Sequence, residues 1–284
     1  MAAGARGGSW RTSADWDEFA AFARGFLATD PETNTLSITV LDAVISGRFR
    51  DPPPIFGWHE EGPVVDGAFL MTPPHELILV ASIDEAADLG RELRDGALVV
   101  PGVNSQPDVG RAFAAAYLAQ SVRVAELKTH MALYRLEELV EAPFGAEGGP
   151  RLATSDDFEL CLSYFNDMRS EVGGGVTGDQ PDLVQRRISG GLVWLWEADG
   201  EAVSLASRAP ESAGVARVGP VYTPPSWRRR GFASAVTHAC TKDALDHGAR
   251  SVVLFTDLTN PTSNAIYQSI GFRPIGERLV LGFG

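Results

Sequence analysis

The stretch that most constrains this chain is Val221-Tyr222-Thr223-Pro224-Pro225-Ser226-Trp227-Arg228-Arg229-Arg230-Gly231-Phe232-Ala233. An apolar run with strand character enters it and a helical pattern leaves it. Proline has no N–H to give to a sheet ladder, so Pro224 and Pro225 end the strand. Gly231 and the small Ala233 let a ligand come close to the main chain. The first N–H groups of the next helix have no acceptor inside the helix, and the helix dipole adds positive potential there. With Arg228, Arg229 and Arg230 beside them, these groups suit an anion such as a pyrophosphate. The pattern is not a nucleotide P-loop, because it has neither Gly-x-x-x-x-Gly-Lys-Ser/Thr nor Gly-x-Gly-x-x-Gly. A solvated basic turn would carry the same three arginines.

A second block follows: Asn260-Pro-Thr-Ser-Asn264-Ala-Ile-Tyr267-Gln-Ser-Ile-Gly271-Phe272. The spacing Arg228-x-x-Gly231-x-Ala233 is similar to the cofactor cradle of the GNAT superfamily of acyl-CoA-dependent N-acyltransferases. The second block resembles that family's late helix, with its early Asn, a later Tyr and a Gly-Phe ending. The resemblance covers roughly residues 151–284.

The resemblance implies acetyl-CoA as cosubstrate and no metal. Backbone N–H groups from Arg229, Arg230, Gly231, Phe232, Ala233 and Ser234 would hold the pyrophosphate, with Arg228 and Arg230 adding charge. The strand Val221-Tyr222-Thr223 would splay from its neighbour, pair with the pantetheine amides and turn one N–H on the thioester carbonyl. Gly219-Pro220 before it is consistent with a bulge; an ordinary buried strand is the rival reading. Tyr267 would give a proton to the departing thiolate, although an aromatic on a helix face also serves as core. Asn260 fits a CoA contact or a helix cap, and Asn264 a pantetheine contact.

The general base is less defined. Many relatives use a Glu on the third strand, and Ala216 to Thr223 holds no carboxylate. Asp257, just past the next strand, is the candidate, with Glu171, Glu197 and a water chain as alternatives. Residues 171–178 and the Trp194/Trp196 strand are the expected walls of the acceptor pocket, where aromatics could stack on a cation or simply pack. The implied activity is N-acetyl transfer to a primary amine by direct attack in a ternary complex. A non-catalytic acyl-CoA-binding or sensing protein is the alternative that the missing strand carboxylate favours. A small amine, an amino acid, an aminoglycoside, a polyamine and a protein lysine all stay open as acceptors.

A length of 284 residues fits two domains. Earlier in the chain, the spacing of Trp16, Phe19, Ala23 and Leu27 predicts a helix capped at Ser13, and a second helix is expected from Asp30-Pro31 to Gly47 with Leu36, Val40, Leu41, Val44 and Ile45 on its face. Strands are expected at 55–59, 64–71 and 76–81, then a helix near 84–94, a strand near 97–101, a helix near 107–120 and a strand near 125–136. From 151 onward the same string of elements returns, with Asp199-Gly200 as a two-residue hairpin turn. The expected fold class is α/β (α+β): two tandem GNAT-like domains, each with a mixed, mostly antiparallel sheet flanked by helices. The expected boundaries are 1–140 for a degenerate first domain, 141–150 for a linker and 151–284 for the catalytic domain. Ser82-Ile83-Asp84-Glu85 stands where the first half would need a cradle, and its acidity should repel a pyrophosphate.

The net charge of −13 disfavours nucleic acid and would suit a cationic acceptor, though acidity also serves solubility. The sequence lacks a signal-peptide core and a membrane-length apolar run. Cys161 and Cys240 are expected as buried free thiols, which points to the cytoplasm. His59, His75 and His130 show no metal-ligand spacing. The sequence leaves the oligomeric state open, a homodimer included.

Overall fold

Side chains alternate along β-strands, and the sheets of this protein are built on that alternation. A computed structural model describes residues 8–141, 145–171 and 180–284. The chain forms two compact units, one of Met1–Ala132 with Gly276–Gly284 and one of Leu133–Ile275. The first half supplies β1 (Ser9–Ser13), α1 (Trp16–Leu27), α2 (Thr35–Ile45), β2 (Ile55–Glu61), β3 (Val64–Met71) and β4 (Leu77–Val80). It continues with α3 (Ile83–Asp95), β5 (Gly102–Ser105), α4 (Pro107–Tyr117) and β6 (Ala125–Leu136). The second half supplies β7 (Gly149–Leu152), α5 (Phe158–Glu171), α6 (Gln180–Ser189), β8 (Val193–Ala198), β9 (Glu201–Arg208) and β10 (Val215–Tyr222). It ends with α7 (Phe232–Asp246), β11 (Ser251–Asp257), α8 (Pro261–Ser269) and β12 (Phe272–Phe283).

In the first unit the strand order runs β1-β2-β3-β4-β5 and then the end of β12. Phe69 and Met71 of β3, with Leu77 and Leu79 of β4, bury into one core with Leu89, Phe113 and Tyr117 of α3 and α4. Ala68, Leu70 and Ile78 face the other way, onto Phe19, Leu27 and Leu41 of α1 and α2. Asp15, not Ser13, caps α1, accepting from the N–H groups of Asp17 and Glu18. Ser13 is the last residue of β1, a strand with no counterpart in the sequence expectations. The strand expected at 97–101 begins instead at Gly102, because Ala97 takes a left-handed φ of 54° and closes the end of α3.

The acidic stretch after β4 is closed to anions by its own side chains. Ser82 accepts from the Glu85 N–H at 3.3 Å while the Glu85 carboxylate accepts from the Ser82 N–H at 2.8 Å, so one donor of α3 is already used and a negative charge stands at the helix end. β4 and β5 are parallel. Arg278, only 2% exposed, donates to the side-chain and main-chain oxygens of Asn104 at 2.8 and 3.0 Å.

In the second unit the order runs β7-β8-β9-β10-β11-β6. Leu195, Leu205 and Tyr222 bury against Tyr164, Phe165, Val184 and Ile188 of α5 and α6. On the opposite side Arg208 of β9 reaches Asp243 of α7 at 2.9 Å, both nearly buried. Asp199 and Gly200 make the expected turn, both with positive φ. Cys161 and Cys240 are buried free thiols, and burial pushes each up to about 12.

The division into units differs from a cut at 141–150. Gly149 and Pro150 belong to β7, paired with Glu197 and Trp196, while Ala142, Pro143 and Phe144 lie outside the described residues. The end of β12 pairs antiparallel with β5, Leu279 opposite Ser105 and Leu281 opposite Val103. Leu279, Leu281 and Phe283 thereby enter the first unit's core. Burial of such side chains is worth about 1.5–3 kcal/mol each. A fragment of residues 1–132 is therefore expected to unfold in urea at a much lower midpoint than the intact chain. Adding a peptide of residues 276–284 should raise that midpoint; an unchanged midpoint in the peptide's absence would show that the closing strand is dispensable.

Candidate functional site

β10 and β11 pair in parallel from Val215 opposite Ser251 to Val218 opposite Leu254. Both strands run on, β10 to Tyr222 and β11 to Asp257, with no further register between them among the described residues. On its other edge β10 carries an irregularity, with Val218 opposite Arg208 but Val221 opposite Ala206. One extra residue is thus accommodated at Gly219-Pro220, where Gly219 has φ 144° and Pro220 has no N–H to pair. Nη1 of Arg187 on α6 donates to the Gly219 carbonyl at 2.5 Å and to Ser207 Oγ at 3.0 Å. Past this point Val221 and Tyr222 have no β11 partner among the described residues, and main-chain groups on that edge can pair with an extended ligand.

The basic turn begins where β10 ends. A single 3-10 turn covers Pro225–Trp227, Arg228 is extended, and Arg229 and Gly231 take left-handed φ values of 64° and 81°. Glycine adopts that conformation without the steric cost other residues meet. Gly231 is the cap residue of α7 and offers no side-chain acceptor, so the N–H groups of Phe232, Ala233 and Ser234 stay open at the helix end. Arg229 and Arg230 are exposed, and Arg230 lies over the Trp227 ring at 4.8 Å. Arg228 turns back instead. It donates to the Thr223 carbonyl at 2.8 Å and to Glu171 Oε1 at 2.5 Å, with its guanidinium 5.8 Å from the Tyr222 ring centre. Its visible work is to fix the strand end, and Glu171 is occupied as its ion-pair partner.

Asn260, Asn264 and Tyr267 recur at helical spacing on α8 and share one face. Asn260 caps the helix, accepting from the Ser263 N–H at 3.1 Å. Asn264 Nδ2 donates to the Asp257 carbonyl at 3.3 Å, while its Oδ1 is buried with no hydrogen-bond partner. Such an orphaned acceptor suits an amide N–H. Tyr267 is half-buried, packs edge-on to Phe272 at 6.4 Å, and has its phenol pushed up to about 12 by burial. It stays protonated at neutral pH and remains a donor.

Asp257 is at the end of β11, where its Oδ1 accepts from both the N–H and the hydroxyl of Thr259 at 2.7 Å. That arrangement stabilises the turn into α8. Glu197 is ion-paired with Arg151 at 2.6 Å. Trp196 packs with Val203 and Phe232 and donates to the Glu147 carbonyl at 2.8 Å, which is a core role. Residues 172–178, the other expected wall of the acceptor pocket, lie outside the described residues.

Asp167 was not singled out by sequence reasoning. Its charge bears on the Tyr222 phenol, whose pKa is raised by burial first and then by the Asp167 and Glu171 charges. Tyr164 stacks at a tilt on Tyr222, 5.3 Å between centroids. Tyr164, Asp167 and Glu171 follow one another at helical spacing on α5, and that polar stripe was the available signal. In the first unit, distant sequence positions bring His59, Asp66 and Glu85 within 4.8 Å of one another. The members already serve other contacts: His59 Nδ1 meets Asp66 at 2.6 Å, and Glu85 closes the cap of α3. Among the described residues no helix is long and apolar enough to cross a membrane.

Residues 162–272 match the family model described as the acetyltransferase (GNAT) family. No curated protein sequence matches the chain. Among solved structures, a GNAT-family acetyltransferase from Colwellia psychrerythraea aligns with TM-score 0.63 at 12% identity, covering 97% of this chain and 99% of its own. A GCN5-related N-acetyltransferase from Sphaerobacter thermophilus aligns with TM-score 0.59 at 14% identity, covering 96% and 94%. A tandem GNAT protein from the clavulanic acid biosynthesis pathway aligns with TM-score 0.55 at 15% identity, covering 97% and 98%. At such identities the structural likeness speaks for the fold, and the family match speaks for the second unit. The chain has the tandem GNAT fold, and residues 162–272 match the GNAT family model.

Proposed function

We propose that the second unit transfers an acetyl group from acetyl-CoA to a primary amine by direct attack within a ternary complex. The observation that carries this reading is the junction of the unpaired β10–β11 edges with the open helix end at Gly231. A long ligand with an anionic end and amides along its length fits that junction. Its pyrophosphate would meet the N–H groups of Arg229 to Ser234, and its amides the edge at Val221, Tyr222 and Thr223 and the orphaned Oδ1 of Asn264.

The neutral amine would form its C–N bond at the thioester carbonyl carbon while the carbonyl electron pair moves onto oxygen. A main-chain N–H of β10 would stabilise that oxyanion. Collapse would break the C–S bond, and the thiolate would take the Tyr267 proton. The attacking nitrogen would lose its proton to water or to Asp257 Oδ2, Oδ1 being engaged by Thr259. No covalent enzyme intermediate is involved, and a trapped acetyl-enzyme would refute the direct route.

Calorimetric titration with acetyl-CoA tests the first half of the proposal. The native protein should bind, and Gly231→Glu, which brings a side chain and a negative charge to the helix end, should not. If neither binds, the reading fails. Retained binding with no CoA release across an amine panel would instead favour a sensing role, the reading supported by a β10 that carries no carboxylate. Tyr267→Phe is expected to lower kcat about 100-fold, the scale of a lost general acid, with acetyl-CoA affinity unchanged. Because burial holds that phenol near 12, its ionisation should not produce a falling limb in the pH–rate profile until about pH 12.

A further inference from the structure

Arg217 occupies the paired part of β10, opposite Val253 and one pair before the strands separate. Its side of the sheet follows from register. Val218 and Val221 stand opposite Arg208 and Ala206, on the side where Arg208 meets Asp243 of α7. Tyr222 stands opposite Leu205 on the other side, with Tyr164 and Phe165 of α5. Arg217 precedes Val218, so it shares the side of Tyr222, α5 and α6.

The residue as a whole is partly exposed, and among the described residues its guanidinium has no hydrogen-bond or ion-pair partner. Nη1 is fully shielded from solvent and makes no hydrogen bond, and burial alone lowers the pKa of the group to about 10. Buried guanidinium groups elsewhere in this chain have acceptors: Arg208 has Asp243, and Arg278 has both oxygens of Asn104. A shielded donor of a charged group without a partner is unfavourable, and an anion that reached Nη1 would satisfy it.

The position says which anion. A ligand entering from the end of α7 and running back between β10 and β11 reaches its limit where the strands meet, at Val218 and Leu254. Its reacting carbon then lies beside Arg217. Helix α7 covers the opposite side of the sheet, so a second substrate comes from the side of α5 and α6. Arg187 reaches the same bulge through Gly219 and adds positive potential. A planar guanidinium fork matches a carboxylate in bidentate fashion. Building on the acyl-transfer reading above, we infer that Arg217 selects the acceptor by its carboxylate: the substrate is an amino acid, with the carboxylate a few bonds from the attacking nitrogen.

The test compares paired acceptors that differ by the carboxylate: L-serine with ethanolamine, L-phenylalanine with phenethylamine and L-ornithine with putrescine. Phosphoethanolamine is added to represent a phosphate. CoA release and calorimetric binding in the presence of CoA are read on the full chain and on Arg217→Gln and Arg217→Lys. At least one amino acid should exceed its decarboxylated partner in kcat/KM. Arg217→Gln should lower that amino acid's kcat/KM on the order of 100-fold, with Arg217→Lys recovering part of it. Acetyl-CoA affinity should hold, and the unliganded Arg217→Gln protein should melt no lower than the native one, because a bare charge has been removed.

Equal use of both members of every pair, or a preference for phosphoethanolamine, would overturn the assignment while leaving acyl transfer intact. So would acetyl-CoA binding with no acceptor of either series bound or acetylated. A lower melting temperature in Arg217→Gln, with all acceptors affected alike, would show a structural role instead. Failure of the native protein to bind acetyl-CoA would remove the underlying reading itself.

Discussion

A parallel pair of strands ordinarily stays hydrogen-bonded until one of them ends. Between β10 and β11 the pairing stops after Val218 and Leu254 although both strands continue, and the candidate site depends on that break. The local chemistry explains it. An extra residue enters β10 at Gly219-Pro220, proline withholds a donor, and Arg187 takes the Gly219 carbonyl. Main-chain groups beyond the break keep their need for partners, since buried polar groups are almost always paired. The helix that follows opens on a glycine without a side-chain acceptor, so a second set of donors stays free a few residues later.

The first unit shows what happens when the same frame loses these features. β4 and β5 are again parallel, and a helix again follows β4. There the cap residue is Ser82, whose hydroxyl takes the third-position N–H that the second unit leaves open, and the Glu85 carboxylate turns back to the Ser82 N–H. Arg278, forked onto Asn104, fills space beside β5. The contrast between glycine and serine at one helix cap separates a unit able to receive an anion from one that has internalised its own.

Much of this was legible in the sequence because it rests on residues with strong local preferences. Glycine and proline punctuation located the end of β10, the start of α7 and the turn at Asp199-Gly200. Asn260, Asn264 and Tyr267 declared a helix face by their spacing. What stayed hidden depends on partners distant in sequence. Glu171 reads as an exposed carboxylate until Arg228 is found beside it, and Asp167 as an ordinary helix residue until Tyr222 meets it. Arg217 lies within a strand where a charged residue suggests an outward face; only the register and the missing acceptor reveal its setting. Strand β7 lay in a stretch whose glycine and proline content suggested a linker, and the course of β12 into the first unit has no local signature at all.

That course of β12 bears on the order in which a growing polypeptide can acquire its structure. Domains commonly mature from the amino end as synthesis proceeds. Here every residue of the second unit, Leu133–Ile275, exists before the first unit has received Gly276–Gly284. The first unit must wait for a strand made after the second unit, because β5 lacks its β12 partner until then. Until residues 276–284 have been made, the core around Phe113 and Tyr117 lacks Leu279, Leu281 and Phe283, and a chaperone that recognises exposed apolar surface would find its target in that interval.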